Sequence, residues 1–188
     1  MSRIGILALQ GDYAAHAAAL RRAGAGSFEA RTAEDIEAAE AMILPGGEST
    51  VIGSLLLRFD LMDALVRRVR GGMPVLGTCA GLILLAARIE GRAQPGIGLL
   101  DVAVERNAYG TQVDSFREAI DTLVPGAGRL EAVFIRAPKI VSVGPEVEVL
   151  ASCRGDPVLV RQGRMIGASF HPELNPDAAI HRWFLGLW

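Results

Sequence analysis

Apolar and polar positions run along this chain in blocks whose period changes about halfway. Ile4 to Leu9 is an apolar run of strand length, suited to burial on both faces. Asp12 follows in the position of a helix cap. The stretch from there to Ala23 sets Ala15, Ala18, Ala19 and Leu20 on one face. The same rules predict a strand at 27–31, a helix at 33–39 and a strand over Ala41–Leu44. A helical stretch at 51–70, interrupted near Phe59-Asp60, then precedes a strand at 73–78 and a helix at 80–89. Strands that alternate with helices pair in parallel, with helices on both faces.

After Gly91 the period shortens. Strand-like stretches occupy 99–105, 112–116, 132–135, 147–152, 157–162 and 165–170, with turns at Gly155-Asp156 and Gln162-Gly163. Pro176 to Leu187 closes the chain as a helix bearing Ile180, Phe184 and Leu187 at helical spacing beside Trp183. The expected fold is α/β: a doubly wound, mostly parallel open sheet with flanking helices and a small antiparallel addition. One domain over 1–188 suits the length.

Composition narrows the function classes. The chain is 51% apolar and 21% charged, as globular proteins are, and its net charge of -2 gives no electrostatic case for nucleic acid or an anionic membrane. Its two cysteines fit a reducing compartment. The apolar run at the N-terminus is too short for a signal peptide, so a cytoplasmic location is expected. The three histidines and two cysteines lack metal-ligand spacing, so no metal site is expected.

Three segments at expected strand ends carry chemistry, and such ends line the ligand crevice of open α/β sheets. In Pro74-Val75-Leu76-Gly77-Thr78-Cys79-Ala80-Gly81, an apolar strand runs through small residues into an apolar helix. That is the layout of a nucleophile elbow with cysteine at its centre, which exposes the side chain at a helix N-terminus where a thiolate is favoured. Gly46-Gly47-Glu48-Ser49-Thr50 can turn backbone N–H groups toward a ligand. In Ser169-Phe170-His171-Pro172-Glu173, residues two apart point to one side, so His171 and Glu173 suit a base and its orienter. Cys153 reads as a core cysteine, and His16 and His181 as surface or packing residues on helices.

Gly-Thr-Cys-Ala-Gly with the downstream His-Pro-Glu resembles the class I, triad-type glutamine amidotransferases. Leu7-Ala8-Leu9-Gln10-Gly11, Leu44-Pro45-Gly46-Gly47-Glu48-Ser49-Thr50, Val104-Glu105-Arg106-Asn107, Gln112-Val113-Asp114-Ser115-Phe116 and Val133-Phe134-Ile135-Arg136-Ala137-Pro138 narrow the resemblance to the glutaminase subunits of pyridoxal 5′-phosphate synthases. It spans Ile4 to about Leu174; the stretches Arg31–Ala41 and Glu118–Arg129 depart from the pattern as surface segments.

The resemblance implies hydrolysis of L-glutamine to glutamate and ammonia. Cys79 would be the nucleophile, His171 the base and Glu173 its orienter, with Gly47 and Ala80 as the oxyanion hole. It implies substrate contacts from Gly47, Glu48, Ser49, Arg106, Ile135 and Arg136, the last by side chain or backbone. It implies no cofactor, and a partner: a (β/α)8 pyridoxal 5′-phosphate synthase subunit in a large hetero-oligomer, which takes the ammonia and activates the glutaminase near Gln10 and Gly46-Gly47. The rivals are the glutaminase of another biosynthetic complex and a cysteine peptidase on a similar elbow fold.

Overall fold

In the computed structural model, which describes residues 3–91, 93–106 and 115–187, the first half of the chain forms nine elements in order. They are β1 (Ile4–Leu7), α1 (Tyr13–Arg22), β2 (Ser27–Ala30), α2 (Ala33–Ala38), β3 (Ala41–Leu44), α3 (Ser49–Arg58), α4 (Met62–Arg70), β4 (Val75–Thr78) and α5 (Ala80–Leu85). The second half contains β5 (Ala86–Glu90), β6 (Leu100–Glu105), β7 (Ser115–Asp121), β8 (Arg129–Ile135), β9 (Lys139–Val143), β10 (Glu148–Cys153), β11 (Asp156–Gln162), β12 (Met165–Ala168), a 3₁₀ turn (Pro172–Leu174) and α6 (Ala179–Leu185).

Among the described residues, the main sheet has seven strands in the order β10-β11-β12-β4-β3-β1-β2. β12, β4, β3, β1 and β2 run parallel, while β10 and β11 add an antiparallel edge. Successive side chains of a strand face opposite sides, and the two cores divide that way. Ile4, Ile6, Ala41, Ile43 and Leu76 pack with Leu20 of α1 and with Ile180 and Phe184 of α6. Leu7, Met42, Leu44 and Val75 pack with Ile52, Leu56, Leu65 and Leu82 from α3, α4 and α5. Burial of each such side chain is worth about 2 kcal/mol, which pins the strand ends that form the cleft. A second sheet, β5-β6-β9, and the hairpin β7-β8 supply the smaller additions.

The expected order of the parallel half is present, with ends that shift by a residue or two. The break near Phe59-Asp60 separates α3 from α4, with Asp60 at φ 56. Two expectations need correction. The helix expected at 80–89 stops at Leu85, because Ala86 to Glu90 pairs in parallel with β6. A short apolar run fits helix or strand equally, and tertiary pairing decides. The closing helix starts at Ala179, not at 176, because the Asp177 side chain accepts from the Ala179 N–H at 2.8 Å and ends the preceding turn. The surface stretch at 118–129 carries regular structure: β7 continues to Asp121, with a strand-to-strand ion pair between Arg117 and Glu131 at 2.8 Å. Strand β9 was not expected. Of the strand expected at 112–116, Gln112, Val113 and Asp114 lie outside the described residues, as does Asn107.

Candidate active site

The turn between β4 and α5 holds Cys79 at φ 49, ψ −102, a region that costs a non-glycine residue about 1–3 kcal/mol. Close packing enforces it. A Cβ on Gly81 would lie 2.0 Å from the Leu44 carbonyl oxygen, and one on Gly77 would lie 2.6 Å from the Gly81 backbone. The Cys79 N–H donates to the Ala168 carbonyl at 2.8 Å, which ties the elbow to β12. The thiol is less open than the elbow pattern implies: Cys79 is 8% exposed. It reaches solvent through a cleft of about 280 Å³, near the lower end of ligand pockets and suited to a small metabolite.

His171 lies just past β12, held by its N–H donating to the Val133 carbonyl of β8 at 2.9 Å. Its Nδ1 is 2.7 Å from Glu173 Oε1, and its Nε2 is buried with no hydrogen-bond partner among the described residues. A Cβ on Gly46 would press on His171 Cε1 at 2.5 Å and touch Cys79 Cβ at 3.5 Å, so both side chains meet one small face. Burial, the largest influence on His171, pushes its pKa down. The Cys79 sulfur and the Glu173 carboxylate outweigh that and raise it to about 10. Glu173 is 2% exposed. Burial pushes its carboxyl upward, but His16 and then His171 hold it below the usual carboxylate value. These three groups can therefore present a sulfur nucleophile, a proton carrier and an anion that fixes the carrier's tautomer.

Gly47, Glu48, Ser49, Arg106, Ile135 and Arg136 all line the same cleft. The Gly46 carbonyl accepts from the Asp12 N–H at 3.1 Å. Peptide planarity turns the Gly47 N–H the opposite way. The Ala80 N–H opens α5, where first-turn donors lack a helical acceptor. The Glu48 N–H donates to Gln10 Oε1 at 2.8 Å, which joins this loop to the end of β1. Arg136, at φ 43, pairs its exposed guanidinium with Glu48 Oε1 at 3.3 Å. The Ile135 carbonyl stands 3.9 Å from the Cys79 sulfur.

The sequence reading missed two features. Gln94 Oε1 accepts from Arg106 at 3.0 Å and from the Ser49 hydroxyl at 3.1 Å, which positions both against the cleft. His16 and His181, expected at the surface or in packing, are fully buried behind Glu173. The signal for His16 lay in its spacing, since residues 16, 19 and 20 share the buried face of α1.

The family model described as the SNO glutamine amidotransferase family matches residues 6–187. The chain is 51% identical over 183 residues to a protein of Pelotomaculum thermopropionicum called pyridoxal 5′-phosphate synthase subunit PdxT, which covers 97% of this chain and 93% of the relative. It is 50% identical over 186 residues to the protein of that name from Thermus thermophilus, covering 98% and 96%. A crystal structure of a glutamine amidotransferase superposes with a TM-score of 0.93 at 48% identity, covering 98% of this chain and 97% of that one.

Proposed function

The chain belongs to the SNO glutamine amidotransferase family, and from that membership we propose that it works as the glutaminase subunit of a pyridoxal 5′-phosphate synthase. It hydrolyses L-glutamine to L-glutamate and ammonia and supplies the ammonia for vitamin B6 synthesis. The observation that carries the reading is a cysteine held at a strained elbow, in one cleft with an imidazole whose Nδ1 is 2.7 Å from a buried carboxylate.

His171 takes the Cys79 thiol proton, and the sulfur attacks the side-chain amide carbon of glutamine. The amide oxygen becomes an oxyanion, received by the N–H groups of Gly47 and Ala80; one such donor contributes about 3 kcal/mol to the transition state. Imidazolium His171 gives its Nε2 proton to the departing nitrogen, the carbon–nitrogen bond breaks and ammonia leaves. A γ-glutamyl thioester remains on Cys79. Water then attacks it while His171 takes a proton, and glutamate departs from the regenerated cysteine. Glu173 keeps the Nδ1 proton in place and steadies the cation without taking a proton itself. Arg106 suits the substrate α-carboxylate and Glu48 its α-ammonium, with Ser49 and the Ile135-Arg136 backbone at the rim.

Ammonia set free in water is lost as ammonium, so the reading includes a docked partner, a (β/α)8 synthase subunit in a large hetero-oligomer. Docking reshapes the Gly46-Gly47 loop through Gln10, whose contact with Glu48 supports this route. A cytoplasmic site of action belongs to the same reading and is supported by two unpaired cysteines. A glutaminase of another complex is disfavoured by relatives that share about half of their residues with this chain and bear the synthase-subunit name.

Labelling with the glutamine-analogue electrophile diazo-oxo-norleucine tests the chemistry. Cys79 is modified, Cys153 is spared, and glutamine protects; modification of Cys153 alone refutes the mechanism. Steady-state glutaminase assays test the partner: the isolated chain turns over slowly and the synthase subunit accelerates it, whereas equal rates dismiss the activation.

A further inference from the structure

Behind the carboxylate of Glu173 lies a polar chain that the mechanism above does not use. His16 Nδ1 is 3.0 Å from His181 Nε2, and His16 Nε2 is 3.1 Å from Thr78 Oγ1. The same His16 Nε2 stands 3.4 Å from Glu173 Oε2, an oxygen with no hydrogen-bond partner among the described residues. His16, Thr78 and His181 are fully buried. They come from α1, the end of β4 and α6, so three separate elements converge on one side of the triad carboxylate.

Only one arrangement of protons suits this chain. In the pair formed by His16 Nδ1 and His181 Nε2, one nitrogen must donate and the other accept. If His16 carried its proton on Nδ1, its Nε2 lone pair would face the carboxylate of Glu173. If His181 donates from Nε2, His16 accepts on Nδ1 and turns an Nε2–H toward Glu173 Oε2 and Thr78 Oγ1. The second arrangement leaves only the unpartnered His181 Nδ1 as a bare acceptor. Burial keeps both rings neutral, so His16 acts on Glu173 as an N–H donor and not as a cation.

We infer that His16 is a positioning residue: in the Nε2–H tautomer, fixed by His181, it holds the second oxygen of Glu173, so that the first stays in line with His171 Nδ1. The inference rests on the reading of Cys79, His171 and Glu173 as the triad. It sets an imidazole against each oxygen of Glu173, at 2.7 Å for Oε1 and 3.4 Å for Oε2. A buried carboxylate held at one oxygen only would rotate or take up a proton, and either change weakens its grip on the imidazole.

The test uses the complex of this chain with its synthase subunit. His16→Leu removes the donor, while His16→Gln places an amide nitrogen near the former Nε2. In His16→Leu, kcat falls about 10–100-fold, the size of effect seen when a supporting partner of a catalytic group is removed. KM stays within about twofold, because nothing in the cleft has changed. The bell-shaped pH profile narrows, since the acid limb rises with Glu173 and the alkaline limb falls with His171. Asp12, Arg22, His171, His181 and Glu173, the charged and titratable groups that face this chain from α1, α6 and the 3₁₀ turn, are the same in both variants. Movement of the limbs therefore reports the lost donor. His16→Gln recovers most of kcat and the original width.

A His16→Leu complex with wild-type kcat and limbs overturns the inference. So does equal loss in both variants that merely follows the folded fraction. Should the leucine variant not fold, ¹⁵N spectra of the wild-type histidines decide: neutral His16 protonated at Nε2 upholds the proposal, and protonation at Nδ1 refutes it. Labelling of Cys79 by diazo-oxo-norleucine in the wild-type complex separates the two readings. Its absence sinks the triad, whereas a labelled enzyme that is indifferent to His16 sinks only the positioning role.

Discussion

The two sides of the Cys79–His171 pair are built in opposite ways. On the cleft side, the exposed side chains of Arg136 and Glu48 pair at 3.3 Å, and Arg106 and the buried Ser49 both bond Gln94, contacts that a ligand can replace. On the rear side, Glu173, His16, Thr78 and His181 are closed off from water by α1, α6 and the sheet. The contrast follows from what each side handles. An exposed ion pair contributes about 0–1 kcal/mol and rearranges at little cost, as recognition of a charged amino acid requires. In the dry interior a misplaced charge costs several kcal/mol, so a carboxylate anchored there stays where it is put. In the proposed mechanism, selectivity therefore falls to the adaptable front and geometry to the rigid back.

The hardest strike at this division is Glu173→Gln, which preserves shape and removes the anion. It is expected to lower kcat by about 10³–10⁴-fold with KM little changed, as for the acid member of a related triad. A rise in KM of that size would place Glu173 in recognition and erase the contrast. Next comes Arg106→Ala, which removes a charged donor from the cleft. KM for glutamine is expected to rise about 10–100-fold, from the loss of a charge-assisted hydrogen bond worth about 1.5–3 kcal/mol, with kcat within a few-fold. Equal losses in kcat would show that the front also sets geometry.

The gentlest test is acid. His16 and His181 have folded-state pKa values below the ordinary 6.5, His181 at about 3, because burial disfavours their cations. The unfolded chain binds these protons below pH 6.5 and the folded chain does not, so stability is full above that value and is lost as pH falls. Each histidine contributes a slope of about 1.4 kcal/mol per pH unit in that window. His171 has the opposite sign: with its pKa raised to about 10, its stabilisation is complete below pH 6.5 and declines above it, so the loss below that value belongs to the two buried histidines. Urea unfolding at pH 7 and pH 5 checks this. A midpoint that does not move would show that the rear histidines are reached by water.

Legibility in the sequence divides along the same line. The elbow was readable because its demands are contiguous: Gly77, Cys79 and Gly81 lie within five positions, and steric fit to Leu44 leaves no alternative to glycine. His171 and Glu173 were readable because residues two apart share a side in extended backbone. The glycine loop was legible from its paired glycines at a strand end, whereas its oxyanion role and Arg106 became legible through resemblance. The rear chain stayed hidden because His16 and His181 are 165 positions apart and meet only after α1 and α6 pack on one face of the sheet. Ala86 to Glu90 misled for a different reason. Its alanines favour a helix, and only the neighbouring β6 makes a strand of it.

Strand β8 does more than fill out the hairpin. Through Val133 it takes the backbone N–H of His171, and through Ile135, two positions on, it meets the sulfur of Cys79. Residues two apart on a strand present their carbonyls along one edge, so a single stretch of backbone acts as a ruler between imidazole and thiol. The far turn of that hairpin is itself anchored, by the Leu123 N–H donating to the Leu150 carbonyl at 2.8 Å and by buried Val124. A slip of one residue in the pairing of Phe116 with Phe134 would carry both marks off the scale at once.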